Sequence, residues 1–234
     1  MLWYTLADVT KKWIGILGEL MLTAGVLILL FVAYQLWFSN LASQAEADRI
    51  STELSESFEL DYSDVDSGSQ EKEVSSIERK ESEGFALVYI PRLKDDVWGT
   101  PILDGITESK LAKGIGHYPT TELPGEVGNF SIAGHRATYG EPFARFERLK
   151  PGDKVIVRTV EGWFVYQLKV DQIVLPTEVW VLNDVPTEDF AAGSSLITLT
   201  TCDPRWNSYQ RWIWWGELVS THKPKDVPLE VLEG

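Results

Sequence analysis

A single cysteine, Cys202, closes the run Ser195-Leu-Ile-Thr-Leu-Thr-Thr-Cys202 in a chain of 234 residues. The run alternates Leu196, Thr198 and Thr200 against Ile197, Leu199 and Thr201. That β-branched pattern reads as a strand, and Asp203-Pro204 breaks it directly after the thiol. Strand ends that open into loops are where catalytic side chains tend to be held. One cysteine cannot form an internal disulfide, so Cys202 is a packing residue, a site of intermolecular pairing or a reactive thiol. Its position favours the reactive thiol. A free thiol, with a pKa near 8.5, is mostly protonated at neutral pH. The chemistry therefore requires a base within reach and a group that holds an oxyanion.

Three histidines are available as the base. His222 falls in the tail, where it would not be placed firmly, and His117, in Gly114-Ile-Gly-His-Tyr-Pro119, is flanked by turn formers. His135 ends the strand-like Asn129-Phe-Ser-Ile-Ala-Gly-His135 and opens into Arg136-Ala-Thr-Tyr-Gly140, the same setting as Cys202. Gly134 before it allows a close backbone approach or an unusual φ. For the oxyanion, Arg211 begins a strand nine residues beyond Cys202. If Asp203–Gln210 returns the chain antiparallel, residues 202 and 211 face each other. A guanidinium there can meet developing negative charge. Arg136 and Arg205 are its rivals.

The elements that must carry these groups begin after an unusual N-terminus. Residues 13–38 are almost wholly apolar, with Glu19 the only charge. At about 1.5 Å per residue they reach about 39 Å, enough to cross a hydrocarbon core of about 30 Å. Trp13, Tyr34 and Trp37 lie near the ends, and Lys11 and Lys12 precede the span, which leaves residues 1–12 cytoplasmic and the remainder outside. A cleaved signal peptide, with Ala42-Ser-Gln-Ala45 as its cleavage site, would have a shorter apolar region. An uncleaved anchor in the cell membrane is the favoured reading.

The net charge of −14 is concentrated just after the span: residues 41–83 hold 13 acidic and 4 basic residues, a net of −9, and many serines. Such a composition reads as a disordered, self-repelling stalk over residues 39–83. With no basic patch, nucleic-acid binding is excluded. From Gly84 to about residue 223, short alternating runs are separated by proline and glycine. They are Phe85–Ile90, Asn129–Ala133, Lys154–Arg158, Trp163–Ile173, Leu196–Thr201 and Trp212–Val219. They predict an all-β barrel or sandwich, with short helices within Asp104–Gly114 and Pro142–Leu149. Alternation places Trp212 and Trp214 on one face and Trp215 on the other. Residues 224–234 read as a flexible tail. Acidic residues form no ligand-spaced cluster, so no metal or cofactor is expected.

Together the Thr198-Leu-Thr-Thr-Cys202 box, the Ala133-Gly-His-Arg136 turn and Arg211 resemble the sortases, membrane-anchored cysteine transpeptidases of Gram-positive bacteria. Gly116-His-Tyr-Pro119, Leu123–Phe130 and Gly134–Gly140 look most like the class E sortases of high-GC Gram-positives. The resemblance implies a closed eight-stranded β-barrel with Cys202 as nucleophile, His135 as general acid/base and Arg211 as oxyanion stabiliser. It implies cleavage of a C-terminal sorting signal (Leu-Ala-x-Thr-Gly, or Leu-Pro-x-Thr-Gly) between Thr and Gly through a thioester. The acyl group then passes to a peptidoglycan precursor amine. Surface proteins or pilins that bear the signal would be the partners, with Tyr118 contacting its second position. Thr200 and Thr201 would lie near the site, and Val179, Val181 and Leu182 would offer an apolar wall for the signal's leucine. The alternatives are an exported cysteine peptidase and a non-catalytic anchored β-domain that binds cell-wall proteins.

Overall fold

The computed structural model describes residues 2–65 and 84–232, in two compact units, Met1–Asn40 and Leu41–Gly234. A proline-free helix, α1 (Leu2–Val65), runs through the first unit into the second. Within the first, Lys11–Tyr34 has a mean hydropathy of 2.4 and buries nothing. Its 24 residues rise about 36 Å, long and apolar enough to cross a bilayer. Thr23, inside this stretch, donates its hydroxyl to the Glu19 carbonyl at 2.8 Å, so its polar atom is satisfied within the helix.

Eight strands form a closed barrel in the second unit: β1 (Gly84–Tyr89), β2 (Trp98–Asp104), β3 (Ile115–His117), β4 (Gly128–Ala133), β5 (Lys154–Thr159), β6 (Gly162–Val174), β7 (Ser195–Asp203) and β8 (Gln210–His222). Their order is β1-β2-β3-β4-β7-β8-β6-β5. The β2–β3 and β4–β7 pairs are parallel and the other pairs antiparallel. Period-2 alternation sends Phe130, Ile132, Ile197, Leu199 and Trp214 into the barrel core. Leu196, Ile213 and Trp215 pack on the opposite face with Val174, Val181 and Phe190. The expected division of the tryptophans holds, with Trp212 packed against the interior cluster.

Six strands coincide with the sequence pattern. β2 and β3 do not, because Pro101 sits in the middle of β2 without an N–H to donate and β3 has only three residues. Of the expected helices, Asp104–Gly114 contains only α2 (Glu108–Leu111), and Pro142–Leu149 only a 3-10 turn, Phe146–Arg148.

The stalk differs from its expectation over residues 41–65, which are helical. Ile50, Leu54 and Phe58, spaced by four, are buried against Leu87 and Leu103, with Tyr89 alongside. Ser51 donates its hydroxyl to the Gly99 carbonyl at 2.7 Å, and the Arg158 guanidinium lies 5.3 Å from the Phe58 ring centre. One apolar residue per turn is too narrow a stripe to register against so many carboxylates and serines, yet it suffices once β1 and β2 present a complementary face. Residues 66–83 of the expected stalk lie outside the described residues. The tail is also engaged: Trp163 Nε1 donates to the Pro224 carbonyl at 3.1 Å, and Leu232 packs against Ile156, Trp163 and Val165.

Burying Ile50, Leu54 and Phe58 stabilises the domain by about 1.5–3 kcal/mol for each side chain. A soluble fragment beginning at Leu41 should therefore melt more than about 5 °C above one beginning at Gly84. Calorimetry of the two fragments checks this, and equal melting temperatures would show that the helix contributes nothing.

Candidate active site

β7 is bonded on both sides, and this brings the three candidate catalytic residues together. On one side it pairs antiparallel with β8, and the register sets Cys202 opposite Arg211. On the other it runs parallel to β4, and the ladder ends at Ala133 opposite Thr200. Two residues further along each strand are His135 and Cys202. Gly134 donates its N–H to the Thr200 carbonyl at 3.1 Å, and Thr201 Oγ1 donates to the Gly134 carbonyl at 2.8 Å. A Cβ at Gly134 would sit 2.8 Å from the Phe143 ring, so it is the close approach, not an unusual φ, that calls for glycine here.

His135 is half-buried, its ring centre 5.3 Å from that of Tyr139. Its Nε2 is enclosed and makes no hydrogen bond. Burial pushes the imidazole below its ordinary pKa of 6.5, with the Glu108 carboxylate opposing, so the ring is mainly neutral at pH 7. The following loop holds Thr138, Tyr139 and Glu141 at φ of 65°, 51° and 47°, a region sparsely populated by residues other than glycine.

The three arginines separate by their partners. Arg136 bonds to the carboxylates of Asp203 and Glu147. Arg205 pairs with Glu141 and lies 5.1 Å over the Trp206 ring. Arg211 has no carboxylate partner among the described residues. Its Nη1 donates to the carbonyls of Ser208 at 3.0 Å and Gln210 at 2.8 Å, which orients the guanidinium without neutralising it. The histidines separate as well. His117 is buried between Phe85 and Phe130, with Nε2 against the Glu122 carbonyl at 3.0 Å. His222 is not in the tail but in β8, opposite Trp163, at the end of the strand remote from Arg211.

Tyr118, just past β3, has its phenol raised above the ordinary value by burial, with Thr200 and Arg211 opposing and Cys202 adding to the rise. Its hydroxyl is thus in the neighbourhood of the thiol. Thr200, on the same face of β7 as Cys202, points its Oγ1 there without a hydrogen bond of regular geometry. Thr201 faces the other way and is used up in holding Gly134. Of the proposed apolar wall, Val181 is 5% exposed and packs from the 175–194 connection against Leu196, Ile213 and Trp215, its carbonyl accepting Trp215 Nε1 at 3.0 Å. Leu182 packs partly on the same cluster, and Val179 is 72% exposed. Asn129, unremarked in the sequence, holds this connection: its Nδ2 donates to the Asn183 carbonyl at 3.0 Å while its Oδ1 accepts from Thr198 at 2.7 Å. The parallel β4–β7 pairing brings Asn129 to Thr198, and nothing local in the sequence announces Asn183 as its other partner.

A thiol beside a neutral imidazole and an unneutralised guanidinium can carry out acyl transfer through a thioester. Comparison with known proteins agrees with this chemistry. Residues 88–219 match the sortase domain. The chain is 39% identical over 212 residues to sortase SrtE1 of Streptomyces coelicolor, covering 87% of this chain and 56% of that protein. It therefore spans just over half the length of that relative. Sortase SrtE2 of the same organism is 31% identical over 227 residues, covering 92% of this chain and 85% of that one. Among solved structures, sortase E from Streptomyces avermitilis superposes with a TM-score of 0.59 at 38% identity, covering 65% of this chain and 99% of that chain. Sortase E1 from S. coelicolor with a tripeptide in its active site gives 0.60 at 38%, covering 64% and 97%.

The neutral His135 makes a pH prediction. Its folded pKa lies below the unfolded value, so between the two the unfolded chain binds more protons and stability rises with pH. The contribution is complete above about pH 6.5 and is lost as pH falls through the folded pKa. Wild type should lose more melting temperature below about pH 6.5 than His135→Gln does. Parallel acid shifts for both proteins would contradict the buried neutral imidazole.

Proposed function

The chain belongs to the sortase family, and on that premise we propose that it is a membrane-anchored cysteine transpeptidase of class E type. In this reading the apolar span of residues 13–38 holds the catalytic domain at the outer face of the cell membrane, with Lys11 and Lys12 before it on the cytoplasmic side. The observation that carries the reading is Arg211, cross-strand from Cys202 and without a carboxylate partner among the described residues.

In the reaction, Cys202 Sγ attacks the carbonyl of the signal's Thr–Gly bond while its proton passes to His135. Arg211 stabilises the oxyanion. The C–N bond then breaks, His135 returns the proton to the departing glycine amine, and a thioester remains. A peptidoglycan precursor amine attacks the thioester, giving its proton to His135, and the Cys202 thiolate leaves and is reprotonated. The half-buried setting of His135 supports both proton transfers, because a neutral ring accepts readily at pH 7 and becomes a strong donor once protonated.

The signal preference we infer is Leu-Ala-x-Thr-Gly over Leu-Pro-x-Thr-Gly, with Tyr118 contacting the second position. Its hydroxyl lies by Thr200, Arg211 and Cys202, in keeping with that contact. The tripeptide bound in S. coelicolor sortase E1 favours a peptide ligand in the corresponding groove here. Val179 is the exposed member of the apolar wall and the side chain available to the signal's leucine.

The test incubates the Leu41–Gly234 fragment with either peptide and a glycine- or diaminopimelate-type amine, following products by mass. A Cys202-dependent new amide is expected, forming faster from the Leu-Ala peptide. Hydrolysis alone in the presence of amine would point to a peptidase, and no thioester from folded protein would overturn the reading. Arg211→Ala should lower kcat by about 10²–10³-fold. Tyr118→Phe should narrow the preference between the two peptides, and an unchanged ratio would remove Tyr118 from specificity.

A further inference from the structure

We propose that Arg136 is the positioning residue of this site: it fixes His135 opposite Cys202 and cancels the Asp203 carboxylate beside the thiol. The inference rests on Cys202 and His135 being the catalytic pair. The last backbone hydrogen bond between the two strands runs from Gly134 to Thr200, so at the level of the catalytic groups the ladder has ended. Arg136 carries the connection on with its side chain. Its Nη1 donates to Asp203 Oδ1 and lies 3.5 Å from the Cys202 carbonyl oxygen, while Nη2 donates to Glu147 Oε2 at 3.2 Å. The residue after the histidine is thereby tied to the nucleophile's own carbonyl and to the residue after the nucleophile.

Arg136 is only 8% exposed. It stacks 5.0 Å over Trp212, itself paired with Thr201, bonded through Nε1 to Asp171 at 2.8 Å and packed against the Phe146 edge. A planar, forked cation suits this slot between two carboxylates and an indole face, and a lysine would not span it. Electrostatics point the same way. The charged and titratable groups on the elements around the thiol are His135, Arg211, Tyr118, Arg136 with Asp203 and Glu147, Arg205 with Glu141, and Glu108, whose carboxylate acts on His135. Asp203, its side chain 16% exposed, adjoins Cys202 in sequence, and left unpaired its charge would oppose formation of the thiolate. Arg136, facing Asp203 and Glu147 together, offers no net positive charge to an oxyanion. It leaves that role to Arg211 and removes the negative charge that would work against it.

Three variants separate the two parts of the proposal, with rate constants read from transfer to the amine and the ionisation of Cys202 read from iodoacetamide alkylation across pH. Arg136→Lys keeps the charge and loses the fork: kcat should fall by about 10²-fold while the alkylation midpoint stays near that of wild type. Arg136→Gln should lower kcat similarly and move the midpoint to higher pH. In Arg136→Gln/Asp203→Asn the midpoint should return while kcat stays low. Wild-type kcat in Arg136→Lys would overturn the positioning role, and an unmoved midpoint in Arg136→Gln would overturn the charge cancellation. Should Arg136→Gln not fold, Asp203→Asn alone serves: it removes the negative charge beside the thiol and leaves Arg136 paired with Glu147 alone, so the midpoint must fall, and an unmoved one counts against the proposal. Alkylation needs no substrate, so these readings stand even where wild type itself forms no amide, the result that would defeat the transpeptidase reading instead.

Discussion

Strand β7 lies between a parallel neighbour and an antiparallel one, and the chemistry depends on both registers at once. Because side chains alternate faces, a slip of one residue against β4 or β8 would turn Cys202 into the barrel and bring Thr201 out in its place. The register is secured from the inside. Ile197 and Leu199 are fully buried in the core with Phe130, Ile132 and Trp214, so a slip would take that apolar set out of the barrel core and turn Thr198 and Thr200 into it. Hydrophobic burial, which has no direction of its own, thereby fixes the position of Cys202, the candidate nucleophile.

Beyond the last rung of the ladder the backbone gives up this control, and polar side chains take it over. Thr201 reaches back to the Gly134 carbonyl, and Gly134 lets Phe143 approach where any Cβ would collide. The loop after His135 keeps Thr138, Tyr139 and Glu141 in left-handed conformations. Such conformations persist only where the surroundings over-determine them. Here the surroundings include Arg205, which pairs with Glu141, and the Tyr139 ring against His135. The site is held by many modest contacts around one reactive pair.

Charge is distributed with equal economy. Three arginines lie near the thiol, and carboxylates neutralise two of them, so that of the three only Arg211 has no carboxylate partner among the described residues. At a half-buried position an unpaired cation acts more strongly than it would in water, so in the proposed reaction its neighbours' neutralisation leaves Arg211 to meet the oxyanion. The 41–58 helix adds a further support, seated on β1 and β2 through Ile50, Leu54 and Phe58, with Ser43 and Gln44 within 3.8 Å of a Cβ built on Gly140 in the His135 loop.

Much of this was legible in the residues themselves. The period-2 runs marked six of the strands, and the setting of Cys202 and His135 at strand ends, together with the offset to Arg211, pointed to the candidate reactive groups, with Arg136 and Arg205 left as rivals of Arg211. Those are local signals, carried by side-chain alternation and by the proline that ends β7. Other features have no local signal. A three-residue strand and one with a central proline form because their neighbours supply the hydrogen bonds. Three apolar residues in an acidic helix are buried because β1 and β2 offer a matching face. The choice of Arg211 over Arg136 and Arg205 follows from Asp203, Glu147 and Glu141, whose proximity depends on where the loops return. The sequence alone determined the kind of chemistry and the strand ends that bear it. The tertiary structure decided which charges are cancelled and how the reactive pair is held, because electrostatic pairing depends on distance in space, and separation along the chain does not report it.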